Sequence, residues 1–397
     1  MKVFFSVGEP SGDVHGANLI REMKAIDPDT ECVGFGGSKM AQAGCDIHFD
    51  LTTLAIMWIG GALQNLRQFF RLADQAEEYF RTQKPDAVVL IDYPGFNWHI
   101  AKRAKKYGVP VYYYSPPQVW AWASHRVKKL RERTDCVFSG LPFETDWLRE
   151  RGVRVEYVGH PFFDETKHHP LPDAQWEAQR PLVGILPGSR TQEVKLNFPL
   201  FLKAMRKIQK QVPPVHFAIA AYRPQHAQMI EELLQKADDI SNANVFVQRT
   251  PEIIQAAECC VSVSGSVSLE LLYHEKPTVI LYKISRLAWW IQWLFRRSKY
   301  ITLVNLLVAK EAFRSRNPEF RPGSADAREA IFPEYLVCRD RSDWIARDIV
   351  EWLTSPDALN ERRERLRALK AEVAQSGAAK RAAQIILAHR QRSRENS

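Results

Sequence analysis

The 397-residue sequence has few cysteines, six in all, and contains no CxxC pair. No histidine stands at metal-ligand spacing from them, so the sequence argues against a disulfide framework and against a zinc site. This cysteine usage is typical of a reducing cytosol. No run reaches the roughly 18 apolar residues that a spanning helix needs, and the N-terminal MKVFFSVGEPSGD lacks the pattern of a signal peptide. We therefore expect a cytoplasmic protein that meets a membrane only at its surface.

Two common phosphate-binding signatures are also missing. The sequence has no GxxxxGK[ST] loop, and GFGGSKM lacks the GxGxxG spacing of a dinucleotide-binding turn. The chain is nevertheless basic, with 55 lysines and arginines against 46 acidic residues and a formal charge of +9. Such an excess favours polyanions, anionic lipid head groups or phosphorylated substrates. A nucleic-acid-binding protein is one alternative, but the charge is spread through the chain rather than gathered in one arm.

Short apolar runs alternate with helical patterns through most of the sequence. Unbroken apolar strands separated by helices indicate parallel sheets that are buried on both faces. The predicted strands are 2–7, 31–36, 87–92, 109–114, 135–140 and 155–159 in the first half, and 182–187, 215–221, 244–248, 259–264 and 278–282 in the second. The predicted fold class is therefore α/β, with two tandem doubly wound, Rossmann-like domains.

The domain boundary is indicated by a polar stretch with three prolines, ETKHHPLPDAQWEAQRP (165–181). Such a composition is typical of a linker. We predict an N-terminal domain over 1–164, a second domain over 182–350, and a helical segment over 351–397 that packs back across the domains. Substrates of such sheets bind beyond the carboxyl ends of the strands, so we expect them in a cleft between the two domains.

Two loops of the second half suit a nucleoside diphosphate. LPGSRTQEV (186–194) places a turn and an arginine at a helix start, and SGSVSLE (264–270) places small residues at another. Backbone N–H groups at a helix start bind phosphate, and a carboxylate in the first turn can hold a ribose. The alternative is that Ser264 or Ser266 caps the helix that follows SGSVSLE and that Glu270 complements the dipole of this helix. The candidate residues are Gly188, Ser189, Arg190, Glu193, Gly265, Ser266, Ser268 and Glu270.

The first half offers a candidate general base. Asp92 ends the apolar run AVVLI, where partial burial can raise the pKa of a carboxyl group toward a value useful for a base. The alternative is that Asp92 is the N-cap of a helix that begins near Phe96. Asp13, Glu9 and His160 are competing candidates for the catalytic group.

The sequence resembles lipid-A-disaccharide synthases over roughly residues 3–310. The resemblance depends on motifs that occur in the family's order: GEPSGD, GFGGSKMAQAGC, IDYPGFN, SPPQVWAW, LPFE, GHPFFD, LPGSR with QEV, and SGSVSLE followed by KPTVILYK. It implies an inverting, metal-independent GT-B glycosyltransferase without a cofactor. Its substrates are implied to be UDP-2,3-diacylglucosamine and 2,3-diacylglucosamine 1-phosphate, joined through a β-1′,6 linkage. Another nucleotide-sugar enzyme of the same fold, such as an epimerase, is the alternative.

The resemblance also assigns roles to residues. It makes Asp92 the base and gives the UDP site Arg190, Ser266, Ser268, Glu270 and also Asn305 of TLVNLL. Ser11, Trp120 and Trp122 are expected on the acceptor or lipid side. The sequence departs from the family at Val304, where proline is usual, and over 314–330, which is longer than the family's passage to Pro333-Glu334.

A tryptophan-rich segment, SRLAWWIQWLFRRSKY (285–300), remains to be explained. It is too short to span a bilayer but suits its interface, where tryptophan rings and cations meet head groups. We predict contact with an anionic inner-membrane surface through Trp289, Trp290, Trp293, Arg296 and Arg297. The segment 54–73 is a second candidate. The alternative for both is a core helix packed between domains.

Overall fold

The computed structural model describes residues 1–53, 64–165, 181–237, 239–240, 242–314 and 319–395. The chain divides into two compact units, one comprising Met1–His169 with Gln375–Ser397 and the other Pro170–Ala374. The predicted helical segment 351–397 is thus shared between the two units. Residues 166–180 of the predicted linker and residues 54–63 of the segment 54–73 lie outside the described residues.

The first unit is built on seven described strands. They are β1 Lys2–Val7, β2 Glu31–Gly36, β3 Cys45–Asp50, β4 Ala87–Ile91, β5 Val111–Tyr114, β6 Cys136–Ser139 and β7 Val155–Tyr157. All pair in parallel, in the order β3-β2-β1-β4-β5-β6-β7. The strand order reverses between β1 and β4, where Val7 lies opposite Ile91. In a doubly wound sheet, the crevice at the carboxyl end of this switch point is the expected ligand site.

Helices cover this sheet. They are α1 Pro10–Ile26, α2 Ser38–Gln42, α3 Gln64–Gln83, α4 Pro94–Lys106, α5 Val119–Trp122, α6 Val127–Arg133, α7 Pro142–Arg149 and α8 Phe162–Glu165, with a 3-10 turn at Ser124–Arg126. The last helix of the chain, α18 Ala378–Glu395, returns to this unit and packs on α1. Alanines of α18 enter the core beside Leu19 and Met23 of α1. Small side chains let the two helices approach closely.

The second unit repeats the same plan. Its described strands are β8 Leu182–Leu186, β9 His216–Ala221, β10 Ala243–Val247, β11 Cys259–Ser262, β12 Thr278–Lys283 and β13 Glu334–Val337. They pair in parallel in the order β10-β9-β8-β11-β12-β13. The switch point lies between β8 and β11, where Leu186 faces Ser262.

The helices of the second unit complete the layers on this sheet. They are α9 Thr191–Gln211, α10 Pro224–Gln235, α11 Thr250–Ala256, α12 Val267–Tyr273, α13 Arg286–Phe295, α14 Leu303–Val308, α15 Ala325–Glu329, α16 Ser342–Thr354 and α17 Pro356–Val373. Within the described ranges, no helix is long and apolar enough to cross a bilayer.

The predicted α/β fold class with two doubly wound parallel sheets is confirmed. The prediction missed two strands, β3 and β13, and both are edge strands. In β3 buried and more exposed residues alternate, and β13 is only four residues long and begins with the acidic Glu334. An edge strand has one neighbour and needs no continuous apolar run, so these two lacked the signal that revealed the others.

Candidate active site

Asp92 lies at the switch point of the first sheet. It follows Ile91, the last residue of β4, while Gly8 follows the neighbouring β1. The backbone is unusual here, because Asp92 and Tyr93 both have positive φ, at 48° and 40°. Two consecutive left-handed residues other than glycine are uncommon and need support from their surroundings. Tyr93, not Asp92, is the residue that precedes α4 at the N-cap position, so the N-cap alternative for Asp92 is wrong.

Asn97 and Tyr113 supply that support. The Asn97 amide, fully buried, donates to the carbonyls of Ile91 at 3.1 Å and Asp92 at 2.8 Å, while the Tyr113 hydroxyl donates to the Asp92 carbonyl at 2.7 Å. Asn97 also accepts from the Ser6 hydroxyl at 2.7 Å and so joins β1 to β4. Sequence reasoning missed both residues. The only signal was a polar residue on the otherwise apolar start of α4.

The surroundings of Asp92 raise its proton affinity. Burial raises the pKa of the Asp92 carboxyl group to about 6; His15 opposes this shift and Glu9 adds to it. Gly12 is needed beside it, because a Cβ there would lie 2.9 Å from Val7 Cγ1 and 3.4 Å from Asp92 Oδ2. A carboxylate with a pKa near 6 is ionised at neutral pH yet basic enough to take a proton.

Asp13, in contrast to Asp92, has a structural role. It is buried, and its carboxylate accepts from the backbone N–H groups of Gly37 at 2.9 Å, Lys39 at 2.9 Å and Met40 at 3.1 Å. These are the unpaired donors at the start of α2. Asp13 therefore ties α1 to α2, and its oxygen atoms are occupied by the fold.

The remaining candidates of this unit fall into two groups. Glu9 and Ser11 are exposed around the start of α1. The His160 imidazole accepts from the Phe162 N–H at 3.2 Å, and burial, with His15 nearby, lowers its pKa to about 3. His160 is therefore a neutral imidazole. His15, which the sequence analysis did not single out, forms a 2.9 Å pair with Glu165.

Trp120 belongs to the core of the first unit. It is only 2% exposed, and its indole Nε1 donates to Glu144 at 2.8 Å. Burial raises the pKa of Glu144 to about 7, against the hydrogen bonds from Ser139 and Trp120. A ring enclosed in this way stabilises the fold and has no open face for a substrate. The backbone of Trp122 ends α5.

In the second unit, Glu193 closes the loop after β8. Its Oε2 accepts from the backbone N–H groups of Ser189 at 3.1 Å and Arg190 at 3.2 Å. Gly188 has φ 116° and leaves no room for a side chain, because a Cβ there would lie 2.7 Å from Glu193. The expectation that these two N–H groups are free for phosphate is therefore wrong in this arrangement. The loop is instead held in shape by a carboxylate.

The Arg190 side chain is 80% exposed and forms a 3.1 Å pair with Glu193 Oε1. An exposed pair of this kind contributes little to stability, so the guanidinium can exchange its partner for a phosphate at small cost.

The loop after β11 lies beside the loop after β8 at the switch point, and it is exposed. Gly265 and Ser266 are exposed, and a Cβ at Gly265 would meet no atom of the described residues within 4 Å. Glu270, in the first turn of α12, is partly buried, and burial raises its pKa to about 7. It has no hydrogen bond or ion pair to any described residue. Ser268, fully buried, likewise has an unpartnered hydroxyl within the described ranges.

Asn305 is part of the framework of the second unit. It is fully buried, and its amide donates to Phe332 O and to Glu334, while its oxygen accepts from the N–H groups of Ile331 and Phe332. Glu334 also holds the backbone of Ile301 and Thr302. All four hydrogen-bonding positions of the Asn305 side chain are therefore used inside the protein. The neighbouring Val304 is buried as well.

The tryptophan segment forms α13, and none of its ten described residues is buried. Leu287 is 71% exposed, Trp290 57% and Leu294 55%. Trp289 and Trp293 instead line a cavity that also contains Arg296. Arg296 is half-buried, and burial lowers the pKa of its guanidinium. Arg297 is exposed.

Comparison with solved structures defines the class of protein. The chain is similar to the UDP-GlcNAc 2-epimerase from Neisseria meningitidis bound to UDP-GlcNAc, with a TM-score of 0.60 and 13% identity over 98% of this chain and 99% of that one. It is also similar to a calicheamicin glycosyltransferase, with a TM-score of 0.54 and 15% identity over 99% and 98% of the two chains. At such identities the likeness shows the fold alone, which is that of GT-B enzymes.

Sequence comparison identifies the family. Residues 3–365 match the family described as lipid-A-disaccharide synthetase. The lipid-A-disaccharide synthase of Coxiella burnetii (strain Dugway 5J108-111) is 34% identical over 313 residues, 77% of this chain and 81% of the relative. That of Syntrophus aciditrophicus (strain SB) is 32% identical over 390 residues, 97% of each. The chain belongs to the lipid-A-disaccharide synthetase family of glycosyltransferases, as the resemblance predicted.

Proposed function

We propose that the protein transfers 2,3-diacylglucosamine from UDP to the 6-hydroxyl of 2,3-diacylglucosamine 1-phosphate, giving the β-1′,6-linked disaccharide 1-phosphate and UDP. The observation that carries this proposal is the partly buried carboxyl group of Asp92 at the sheet switch point, with its pKa raised to about 6. The acceptor oxygen loses its proton to Asp92 as it attacks the anomeric carbon. UDP leaves from the opposite face, so the configuration inverts.

The second unit is proposed to bind the donor. Arg190 gives up its exposed pair with Glu193 and contacts the diphosphate. Gly265 and Ser266 allow the diphosphate to approach the start of α12, where the backbone donors are concentrated. The unpartnered carboxylate of Glu270 accepts from the ribose hydroxyls. These groups stabilise the negative charge that develops on the leaving UDP.

Residues held by the fold are given supporting roles in this proposal. Asp13 fixes the loop of α2, Glu193 fixes the loop that carries Arg190, and Asn305 fixes the segment before β13. Asn97 and Tyr113 hold the strained backbone of Asp92, and we regard them as positioning residues.

The membrane contact is proposed to use one face of α13. Leu287, Trp290 and Leu294 follow the i, i+3, i+7 spacing of a single helix face and are the residues most suited to enter the head-group region. Exposed Arg286 and Arg297 flank this face and favour anionic lipid. Such contact would bring the enzyme to substrates whose acyl chains lie in the bilayer.

The test of the reaction is a UDP-release assay with each lipid substrate alone and with both together. Transfer predicts UDP only when donor and acceptor are both present. The epimerase alternative predicts turnover of the donor without acceptor, and that outcome would contradict the proposal.

A further inference from the structure

A basic cavity of about 400 Å³ lies in the first unit along α4, α6 and the 3-10 turn that precedes α6. Its size is within the range of small-molecule sites. From α4 it is lined by Gly95, Trp98, His99 and Lys102. These residues have the three- to four-residue spacing of one helix face. The facing wall is formed by Arg126, Lys129 and Arg133, again at the spacing of one face.

The cations of this cavity are not neutralised by the protein. Within the described ranges, Lys102, Arg126 and Lys129 form no ion pair. Arg133 donates to the Trp98 carbonyl at 3.2 Å. No carboxylate is among the described residues that line the cavity.

Neighbouring cations of α4 behave differently. Arg103 pairs with Asp74 at 2.7 Å, and Lys106 pairs with Glu77 at 2.6 Å. On α4, the lack of acidic partners is thus confined to the face that lines the cavity.

The electrostatic effect of this arrangement is visible at His99. Burial lowers its pKa, and the charges of four cations lower it further: Arg103, Arg133, Lys129 and Lys102. A positive potential that disfavours the protonated imidazole also attracts an anion.

Trp98 provides an independent indication of a ligand. The residue is only 5% exposed, and its indole Nε1–H has no acceptor among the described residues. The Lys129 ammonium lies 5.9 Å from the centre of the Trp98 ring. A buried N–H without an acceptor is costly, and an anion in the adjoining cavity is one group that can satisfy it.

We propose that this cavity binds a phosphate monoester, the 1-phosphate of the acceptor sugar, and thereby selects the acceptor. The inference rests on the proposed function, since it assigns the other end of the sugar whose hydroxyl faces Asp92. Gly95, which lines the cavity, is three residues after Asp92, so their Cα atoms are separated by at most about 11 Å. In this proposal one acceptor sugar presents its hydroxyl to the base and its phosphate to the cations.

The test uses the full-length double variant Lys102→Gln/Lys129→Gln. We expect its KM for the acceptor to rise at least about 10-fold, because two charge-assisted contacts are lost, while its KM for the donor stays within about twofold. Calorimetric titration with glucosamine 1-phosphate should show a matching loss of affinity, whereas glucosamine without phosphate should bind neither protein detectably.

The matched control is Lys106→Gln/Lys128→Gln, which removes the same charge from the same two helices outside the cavity. It should leave both KM values unchanged. If the Lys102/Lys129 variant keeps its acceptor KM in detergent micelles and its affinity for glucosamine 1-phosphate, but loses binding to phosphatidylglycerol vesicles, the cavity binds a lipid head group and our proposal is overturned. Failure of the unaltered enzyme to release UDP with both substrates contradicts the proposed function alone, because the glucosamine 1-phosphate titration does not depend on turnover.

Discussion

At the scale of single residues, Asp92 shows how the fold can hold a carboxylate at a cost to its own stability. Its charged form is disfavoured by burial, and its left-handed backbone is held by the hydrogen bonds from Asn97 and Tyr113. Strain and desolvation of this kind are tolerated where chemistry needs them.

The variant Asp92→Asn tests the proposed role of Asp92 as the general base. Turnover should fall about 100-fold or more, because the variant has no base. In the unaltered enzyme, kcat/KM should decline about tenfold per pH unit below pH 6, as Asp92 takes up a proton. Steady-state kinetics between pH 5 and 8 measure both effects. Near-normal turnover of the variant would remove Asp92 from the role of base.

The same substitution should stabilise the folded protein at pH 8. The folded pKa of about 6 lies above the ordinary 3.8, so the favourable contribution of Asp92 is present below pH 3.8 and lost as the pH rises through 6. The asparagine side chain of Asp92→Asn does not ionise, so the variant does not lose this contribution as the pH rises. We expect a gain of about 1–2 kcal/mol in the free energy of unfolding at pH 8 and a smaller gain at pH 5. Asp29→Asn, at an exposed position, is the control and should show neither.

Single residues are also where sequence reasoning reached its limit. The motifs located the loops at both switch points, yet Asp13, Glu193 and Asn305 turned out to accept hydrogen bonds from the backbone. A polar residue after a strand looks the same in sequence whether it binds a ligand or the chain itself. Only the contact geometry separates the two.

At the scale of elements, α13 is the exception to an otherwise ordinary burial pattern. The strands and most helices are apolar where they are buried, but α13 is apolar and largely exposed. The sequence could predict this helix from its composition. It could not predict that Arg296 faces a cavity, because that depends on packing against residues more than twenty positions later.

The triple variant Leu287→Ser/Trp290→Ser/Leu294→Ser tests the role of α13. Binding to vesicles containing phosphatidylglycerol should fall at least about 10-fold, since three large apolar side chains no longer enter the interface. The melting temperature should change little, because all three are exposed. Co-sedimentation with vesicles and thermal unfolding measure the two properties. Leu196→Ser/Tyr222→Ser, which removes exposed apolar residues elsewhere in the same unit, should bind vesicles normally; equal loss in both variants would contradict a specific role for α13.

At the scale of the whole molecule, the alternation of apolar strands with helices was sufficient to predict two doubly wound units. The physical reason is that parallel strands buried on both faces must be continuously apolar. The sequence predicts that 351–397 packs back across the domains, but it does not identify α18 as the helix that returns to the first unit. The start of α18 is held by Asp164, which accepts from the N–H groups of Ala378 and Ala379 at 3.2 and 2.9 Å. This contact joins residues that are far apart in the chain.

Two units with separate cores should allow substrate binding and catalysis to be separated by mutation. UDP added at 100 times its dissociation constant should stabilise the unaltered protein by about 2.7 kcal/mol. Asp92→Asn should keep this stabilisation while losing turnover, because Asp92 belongs to the other unit.

Glu270→Gln should weaken UDP binding about 10- to 100-fold, since a carboxylate hydrogen bond is lost. In the unaltered protein, UDP affinity should also decline as the pH falls through about 7, where Glu270 takes up a proton. Thermal unfolding with and without UDP at pH 6 and 8 measures the stabilisation by UDP and its pH dependence, and the UDP-release assay measures turnover. A UDP response in Glu270→Gln equal to that of the unaltered protein would show that the ribose is held elsewhere.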